Sequence, residues 1–186
     1  MSRSAEETRI LGAALAPTLL PGDVVSLAGD LGAGKTAFVQ GVVTSLGVPG
    51  PVTSPSFTLL HEYDARYRVL HLDIYRLGSF QEVLDLGFED LITPEAILLI
   101  EWGDAVEPLL PRQHLRIDLR RTDSSDDDER LLTFRPRGED WTRKVEGMKD
   151  VAEALLDAAS EEVAGPARFI ELSREDLRTY QQEGPG

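Results

Sequence analysis

The 186-residue chain carries 33 acidic against 19 basic side chains, a formal net charge of −14, with 41% hydrophobic residues and no cysteine. Its size and apolar content suit one domain with a real core, or one domain plus a small appendage, and the missing cysteines exclude disulfides, zinc–thiolate sites and thiol chemistry. The acidity argues against a broad direct grip on a nucleic-acid backbone, the apolar runs are too short to cross a bilayer, and Met1–Glu7 lacks an export pattern, so a cytoplasmic location is expected.

In chain order, Ile10, Leu11, Ala13, Ala14 and Leu15 predict an amphipathic helix over 5–16, punctuated by Pro17 and Pro21-Gly22. Asp23–Ala28 reads as a short buried strand. After a glycine-rich stretch, Phe38, Val39, Val42, Val43 and Leu46 recur at helical spacing, and Gly47 stops that helix. Strands are expected at Phe57–Tyr63 and Tyr67–Asp73, joined at hairpin length. Short helical pieces follow at Ser79–Asp85 and Phe88–Leu91.

Ala96–Ile100 is an unbroken apolar run, as in a strand buried on both faces. Leu115, Ile117 and Leu119 alternate with Arg116, Asp118 and Arg120, a half-exposed strand that Leu131–Phe134 would pair with as an edge hairpin across the acidic loop Asp123–Glu129. Past about Pro136 the composition changes. Trp141–Ala159 predicts a helix with Val145, Met148, Val151, Ala152, Leu155 and Leu156 on one stripe, and Ser173–Tyr180 a further short helix.

Between the first strand and the second helix stands Gly29-Asp30-Leu31-Gly32-Ala33-Gly34-Lys35-Thr36, the Gly-x-x-x-x-Gly-Lys-Thr phosphate loop. Its glycines let backbone N–H groups curl around an anion, and the following helix turns its positive end to the same place. Lys35 reaches the terminal phosphates and the Thr36 hydroxyl ligates Mg²⁺, which makes ATP with Mg²⁺ the expected ligand. Such a loop needs a carboxylate at the end of a neighbouring strand, and Glu101 after Ile97–Ile100 fits. Asp73 ends another expected strand, placed to orient a water or to touch the metal shell. On the residues alone His71 reads as structural, Trp102 as core or as a wall of the site, and Ser54–Thr58 as a proline-bearing loop or a switch segment.

Four segments then come together in order: Leu27–Thr36, Ser54-Pro55-Ser56-Phe57-Thr58-Leu59, His71-Leu72-Asp73-Ile74-Tyr75-Arg76-Leu77, and Leu99-Ile100-Glu101-Trp102-Gly103-Asp104. Together they resemble the bacterial TsaE family of ATPases, factors in making threonylcarbamoyladenosine in transfer RNA. The resemblance covers roughly residues 5–136. It implies a protein that binds ATP and works with TsaB and TsaD, of which TsaD performs the transfer, with ATP hydrolysis resetting the complex and transfer RNA met only through it. It also implies that Thr36 and Glu101 hold Mg²⁺, that Asp73 is needed for hydrolysis, that Ser54–Thr58 is switch-like, and that Thr8 and Arg130 lie near the nucleotide. Ala37 stands where the family often has a hydroxyl residue, and the segment from about Trp141 extends past the family's usual end.

The expected fold is α/β, a P-loop NTPase-like three-layer sandwich with a mostly parallel central sheet and an antiparallel hairpin contribution. The expected organisation is a P-loop ATPase domain over 1–136 and a C-terminal helical extension over 137–186. A small-molecule kinase and a nucleotide-dependent interaction module with negligible turnover are the alternatives. A GTPase is disfavoured because no Asn-Lys-x-Asp segment is present.

Overall fold

Ser4 starts the first helix. Its hydroxyl accepts from the Glu7 N–H at 3.0 Å, while the Glu7 carboxylate reaches back to the Arg3 N–H at 2.7 Å, so orphan donors at the helix entry are satisfied. In the computed structural model, which describes residues 1–77, 80–85, 87–122 and 128–164, that helix is α1, Ala5–Leu15. There follow β1, Val24–Ala28; α2, Lys35–Ser45; β2, Leu60–Asp64; and β3, Arg68–Asp73. Two short helices, α3 at Phe80–Asp85 and α4 at Phe88–Leu91, lead to β4, Ala96–Glu101. A 3-10 segment, Gly103–Leu109, precedes β5, His114–Arg121, and β6, Arg130–Arg137, and α5 spans Glu139–Ala164.

The strands form one sheet in the order β2-β3-β4-β1-β5-β6. The four central strands are parallel, and each edge adds an antiparallel partner, β2 to β3 and β6 to β5. The mostly parallel sheet is thus observed with a hairpin at both edges. The first of the two expected hairpin strands begins at Leu60 rather than Phe57, because the preceding residues make a turn. Thr58 and Leu59 both donate to the Pro55 carbonyl, and Leu59 takes a left-handed φ of 65°. The expected helix at Ser173–Tyr180 and most of the acidic loop lie outside the described residues.

Side chains alternate faces along a strand, and here they divide the core in two. Val25, Leu27, Val69, Ile97, Leu99, Leu115, Ile117 and Leu119 pack against α1, α2 and α5. Val24, Leu70, Leu72, Leu98 and Ile100 pack with Val83, Phe88 and Val106 on the other face. The same alternation fixes where polar residues of β3 and β4 point: His71 and Asp73 continue the Val69 face, and Glu101 continues the Ile97–Leu99 face, so all three turn toward α2.

One compact unit runs from Met1 to Leu156, a second from Asp157 to Gly186. Of the second, the described residues are the last turns of α5. The first turns of α5, within the segment expected to form an extension, contribute Trp141, Met148 and Ala152 to the core, with Val145, Val151, Leu155 and Leu156 packed against it.

Helix α2 is seated by glycine at its crossing with α1. A Cβ on Gly41 would lie 1.9 Å from the Arg9 carbonyl oxygen, and one on Gly12 would lie 2.1 Å from that of Phe38. The two backbones touch where any side chain would separate them. Gly41→Ala is therefore expected to lower the unfolding free energy by about 1–3 kcal/mol, the usual cost of overpacking, despite alanine's better helix propensity. Denaturant titration checks this; equal or greater stability in Gly41→Ala would contradict the close crossing.

Candidate functional site

The phosphate loop hangs from the C-terminal end of β1, between the ends of β4 on one side and β5 on the other. Gly29 has φ 141°, and a Cβ there would lie 2.1 Å from the Leu119 carbonyl oxygen of β5, so only glycine lets the loop leave the sheet at this angle. Gly34, at φ 105°, caps α2 in the left-handed region and starts the helix at Lys35.

Lys35, Thr36, Asp73 and Glu101 meet in one cleft of about 240 Å³, which the predicted loop residues Leu31, Gly32 and Gly34 also line. Lys35 is buried; its Nζ donates to the carbonyls of Gly29 at 2.6 Å and Asp30 at 2.9 Å, and sits 3.6 Å from the centroid of the Trp102 ring. Thr36 Oγ1 donates to Glu101 Oε2 at 2.9 Å. The other carboxylate oxygen, Oε1, lies 2.9 Å from His71 Nε2. Asp73 stands opposite Glu101 in the β3–β4 register. Its Oδ2 accepts from Ser54 Oγ at 2.5 Å and Ser56 Oγ at 2.7 Å, and its Oδ1 from the Tyr75 N–H at 3.1 Å.

Thus two buried carboxylates on neighbouring strands face one lysine and one helix N-terminus, an arrangement that favours a cation beside an anion. The Asp73–Ser54–Ser56 cluster ties the Ser54–Thr58 loop to β3. Trp102 adopts a left-handed φ of 64°, a conformation costing of order 1–3 kcal/mol for a bulky residue. That turn lays its ring against Lys35 and against Tyr75, 4.8 Å away between centroids.

The remaining predicted residues lie around the loop. Asp30 is exposed, and Leu31 is exposed at the rim of the cleft it lines. Ala33 is buried beneath it, and its N–H closes a turn onto the Asp30 carbonyl at 3.1 Å. Gly32 is exposed and lines the cleft, and a Cβ on it would stand 4.0 Å from the Arg121 guanidinium. Thr8 and Arg130 flank Gly34 on the β5–β6 side, within 3.5 Å of where a Cβ on it would stand. The Thr8 hydroxyl is engaged with Ser2 Oγ at 2.7 Å and the Ser4 carbonyl at 3.0 Å, so it is the methyl that meets the loop. Arg130 is anchored by backbone bonds to Ser2 and by its guanidinium to Asp128, with Nε buried and without a partner among the described residues.

The residues alone gave His71 as structural and Ser54–Thr58 as a proline-bearing loop or switch segment, and paired neither with a carboxylate. The serines carried a usable signal, since two hydroxyls two residues apart can reach one carboxylate; His71 carried none beyond its alternation with Asp73 on a strand. Among the described residues no group of three or more His, Asp or Glu side chains gathers as a metal cluster, and no helix is long and apolar enough to cross a membrane.

A phosphate loop between a central parallel strand and a helix, with carboxylates at the ends of adjacent strands, defines a P-loop NTPase-like α/β protein. Residues 2–131 match the family model described as threonylcarbamoyl adenosine biosynthesis protein TsaE. The chain belongs to the TsaE family. It is 41% identical over 120 residues to the tRNA threonylcarbamoyladenosine biosynthesis protein TsaE of Treponema pallidum, covering 64% of this chain and 89% of that one. It is 40% identical over 130 residues to the TsaE protein of Bacillus subtilis, covering 69% of this chain and 79% of that one. The crystal structure of Bacillus subtilis YdiB superposes with a TM-score of 0.67 at 33% identity, over 79% of this chain and 90% of that one.

Burial holds the Lys35 ammonium below the usual 10.5, and Glu101, Asp73, Asp104 and Asp30 pull it back upward without cancelling the effect. In the unfolded chain the lysine returns to its ordinary value, so between the two values the unfolded state binds more protons. The group's contribution to stability is then fully present above 10.5 and is lost as pH falls through the depressed value. The parent is expected to gain stability relative to Lys35→Met as pH rises across the alkaline range, by no more than about 1.4 kcal/mol per pH unit. Denaturant titrations of both proteins at stepped alkaline pH check the sign; a constant or shrinking difference would contradict it.

Proposed function

We propose that this chain binds ATP with Mg²⁺ and hydrolyses it slowly on its own, and that it acts with TsaB and TsaD in forming threonylcarbamoyladenosine in transfer RNA. The observation that carries the nucleotide part is the convergence of Lys35 and Thr36, at the start of α2, with Glu101 and Asp73 in one cleft. Family membership carries the pathway.

The donors suit the metal. Thr36 Oγ1 and Glu101 Oε2, 2.9 Å apart, are hard oxygen ligands, and Mg²⁺ typically takes one or two such protein groups together with substrate phosphates and water. A Mg²⁺ ion held by Thr36 and Glu101 would supply charge neutralisation for phosphoryl transfer. The loop's backbone N–H groups and the α2 N-terminus orient the phosphates. Lys35 exchanges the carbonyls of Gly29 and Asp30 for phosphate oxygens, a change its partly desolvated ammonium favours.

Asp73 holds the attacking water by accepting one of its hydrogens at Oδ2. That oxygen is engaged by Ser54 and Ser56, so the Ser54–Thr58 loop has to shift before the water can be held. A partner that repositions the loop would accelerate hydrolysis, as partner proteins do for other P-loop enzymes whose switch segments they order. Thr8 and Arg130 brace the loop on its other flank, beside Gly34. No second substrate is invoked: water is the acceptor, which separates this reading from a kinase. With a net charge of −14, transfer RNA is reached through the partners, because like charges repel beyond contact distance.

The test is ATP turnover by the parent chain and by Asp73→Ala, each alone, with TsaB and TsaD, and with transfer RNA alone. The parent is expected to be slow alone, strongly stimulated by the two proteins and unaffected by RNA alone. Asp73→Ala is expected to lose about 10²–10³-fold of the stimulated rate while still binding ATP. Stimulation by RNA with no response to the proteins would reject the reading.

A further inference from the structure

His71 is fully buried in β3 and makes one side-chain hydrogen bond, from Nε2 to Glu101 Oε1 at 2.9 Å. A ring lone pair facing a carboxylate oxygen would be repelled, so Nε2 carries the hydrogen and donates it. Nδ1 has no partner among the described residues. The ring therefore serves no backbone group, and an apolar side chain would fill the same space without leaving a buried nitrogen unpaired. What the histidine adds falls on Glu101 alone.

That effect is geometric. The terminal torsion of a glutamate is broad and roughly two-fold, so a single contact leaves the carboxylate free to rotate. Glu101 is held at both oxygens: Oε1 by His71 and Oε2 by Thr36. The His71 ring is itself fixed by near-parallel stacking on Tyr63 of β2, 6.3 Å between centroids and 26° between planes. The Tyr63 hydroxyl in turn lies 3.4 Å from the Thr53 carbonyl, at the root of the Ser54–Thr58 loop.

We propose that His71 is a positioning residue that pins Glu101 Oε1 so that Oε2 faces Thr36, and so sets the divalent-cation affinity of that pair. The inference rests on reading Thr36 and Glu101 as the metal-holding pair. Partners in the second layer around metal ligands typically contribute about 10–100-fold in metal affinity.

The test compares the parent with His71→Gln, His71→Asn and His71→Leu. A glutamine amide places an N–H near the position of Nε2, whereas asparagine matches only Nδ1 and falls short of Glu101. ADP binding is measured against Mg²⁺ concentration and again in excess chelator, and thermal unfolding is followed without metal. Asparagine and leucine should raise the Mg²⁺ needed for half-maximal ADP binding by about 10-fold or more, with glutamine close to the parent. ADP affinity in chelator should be the same in all four proteins. If the leucine variant does not fold, the asparagine–glutamine pair decides.

An unchanged Mg²⁺ requirement in His71→Asn overturns the inference. So does His71→Gln being as impaired as His71→Asn, or an equal loss of ADP affinity with and without Mg²⁺. If ADP binding to the parent does not respond to Mg²⁺, the functional reading falls and this inference falls with it. A parent that responds beside an unaffected His71→Asn removes only the inference.

Discussion

The hydrogen bond from Thr36 Oγ1 to Glu101 Oε2 joins residues 65 positions apart in sequence, and the rest of the site follows from what places its two ends. Thr36 is fixed because Gly34 ends the loop in a left-handed conformation and α2 starts at Lys35. Glu101 is fixed because β4 lies against β1, with Leu27 in register with Glu101. Asp73 is carried to the same level by the β3–β4 register. Parallel strands end together at one edge of the sheet, and there the crevice beyond their carboxyl ends collects the loop, the helix terminus and both acids.

Burial explains the electrostatic character of that crevice. Asp73 and Glu101 are each 2% exposed and Lys35 is 4% exposed, so their charges are screened little by solvent. Each carboxylate is held by hydrogen-bond donors, two serines and a backbone N–H for Asp73, a threonine and a histidine for Glu101. These donors orient the two acids beside the Lys35 ammonium. The left-handed turn at Trp102, which lays its ring against Lys35, is local backbone strain tolerated where surrounding packing over-determines it.

Much of this was legible in the sequence because the signals were periodic or motif-bound. The unbroken run Ala96–Ile100 marked a strand buried on both faces, the alternation through Leu115–Leu119 marked one beside an edge, and the Gly-x-x-x-x-Gly-Lys-Thr stretch marked the strand–loop–helix junction. What stayed hidden depends on contacts between distant segments. The early residues of the first expected hairpin strand turn instead because Pro55 offers a carbonyl that Thr58 and Leu59 both reach. The engagement of Asp73 by Ser54 and Ser56, and of Glu101 by His71, requires strand order and register, which periodicity does not supply. The core role of Met148 and Ala152 was suggested by their stripe, but that of Trp141, and the surface all three cover, follows only from the sheet.

The central claim is that Thr36 and Glu101 together receive a divalent cation beside a phosphate chain held by the loop. Its most direct test is a crystal structure with Mn²⁺ and a non-hydrolysable ATP analogue, located by the anomalous signal of the metal. The account predicts one strong peak coordinated by Thr36 Oγ1, with Glu101 bound to it directly or through one water, and Lys35 Nζ moved from the Gly29 and Asp30 carbonyls onto phosphate oxygens. A metal peak away from this pair, or an analogue bound with Lys35 still on those carbonyls, would contradict it.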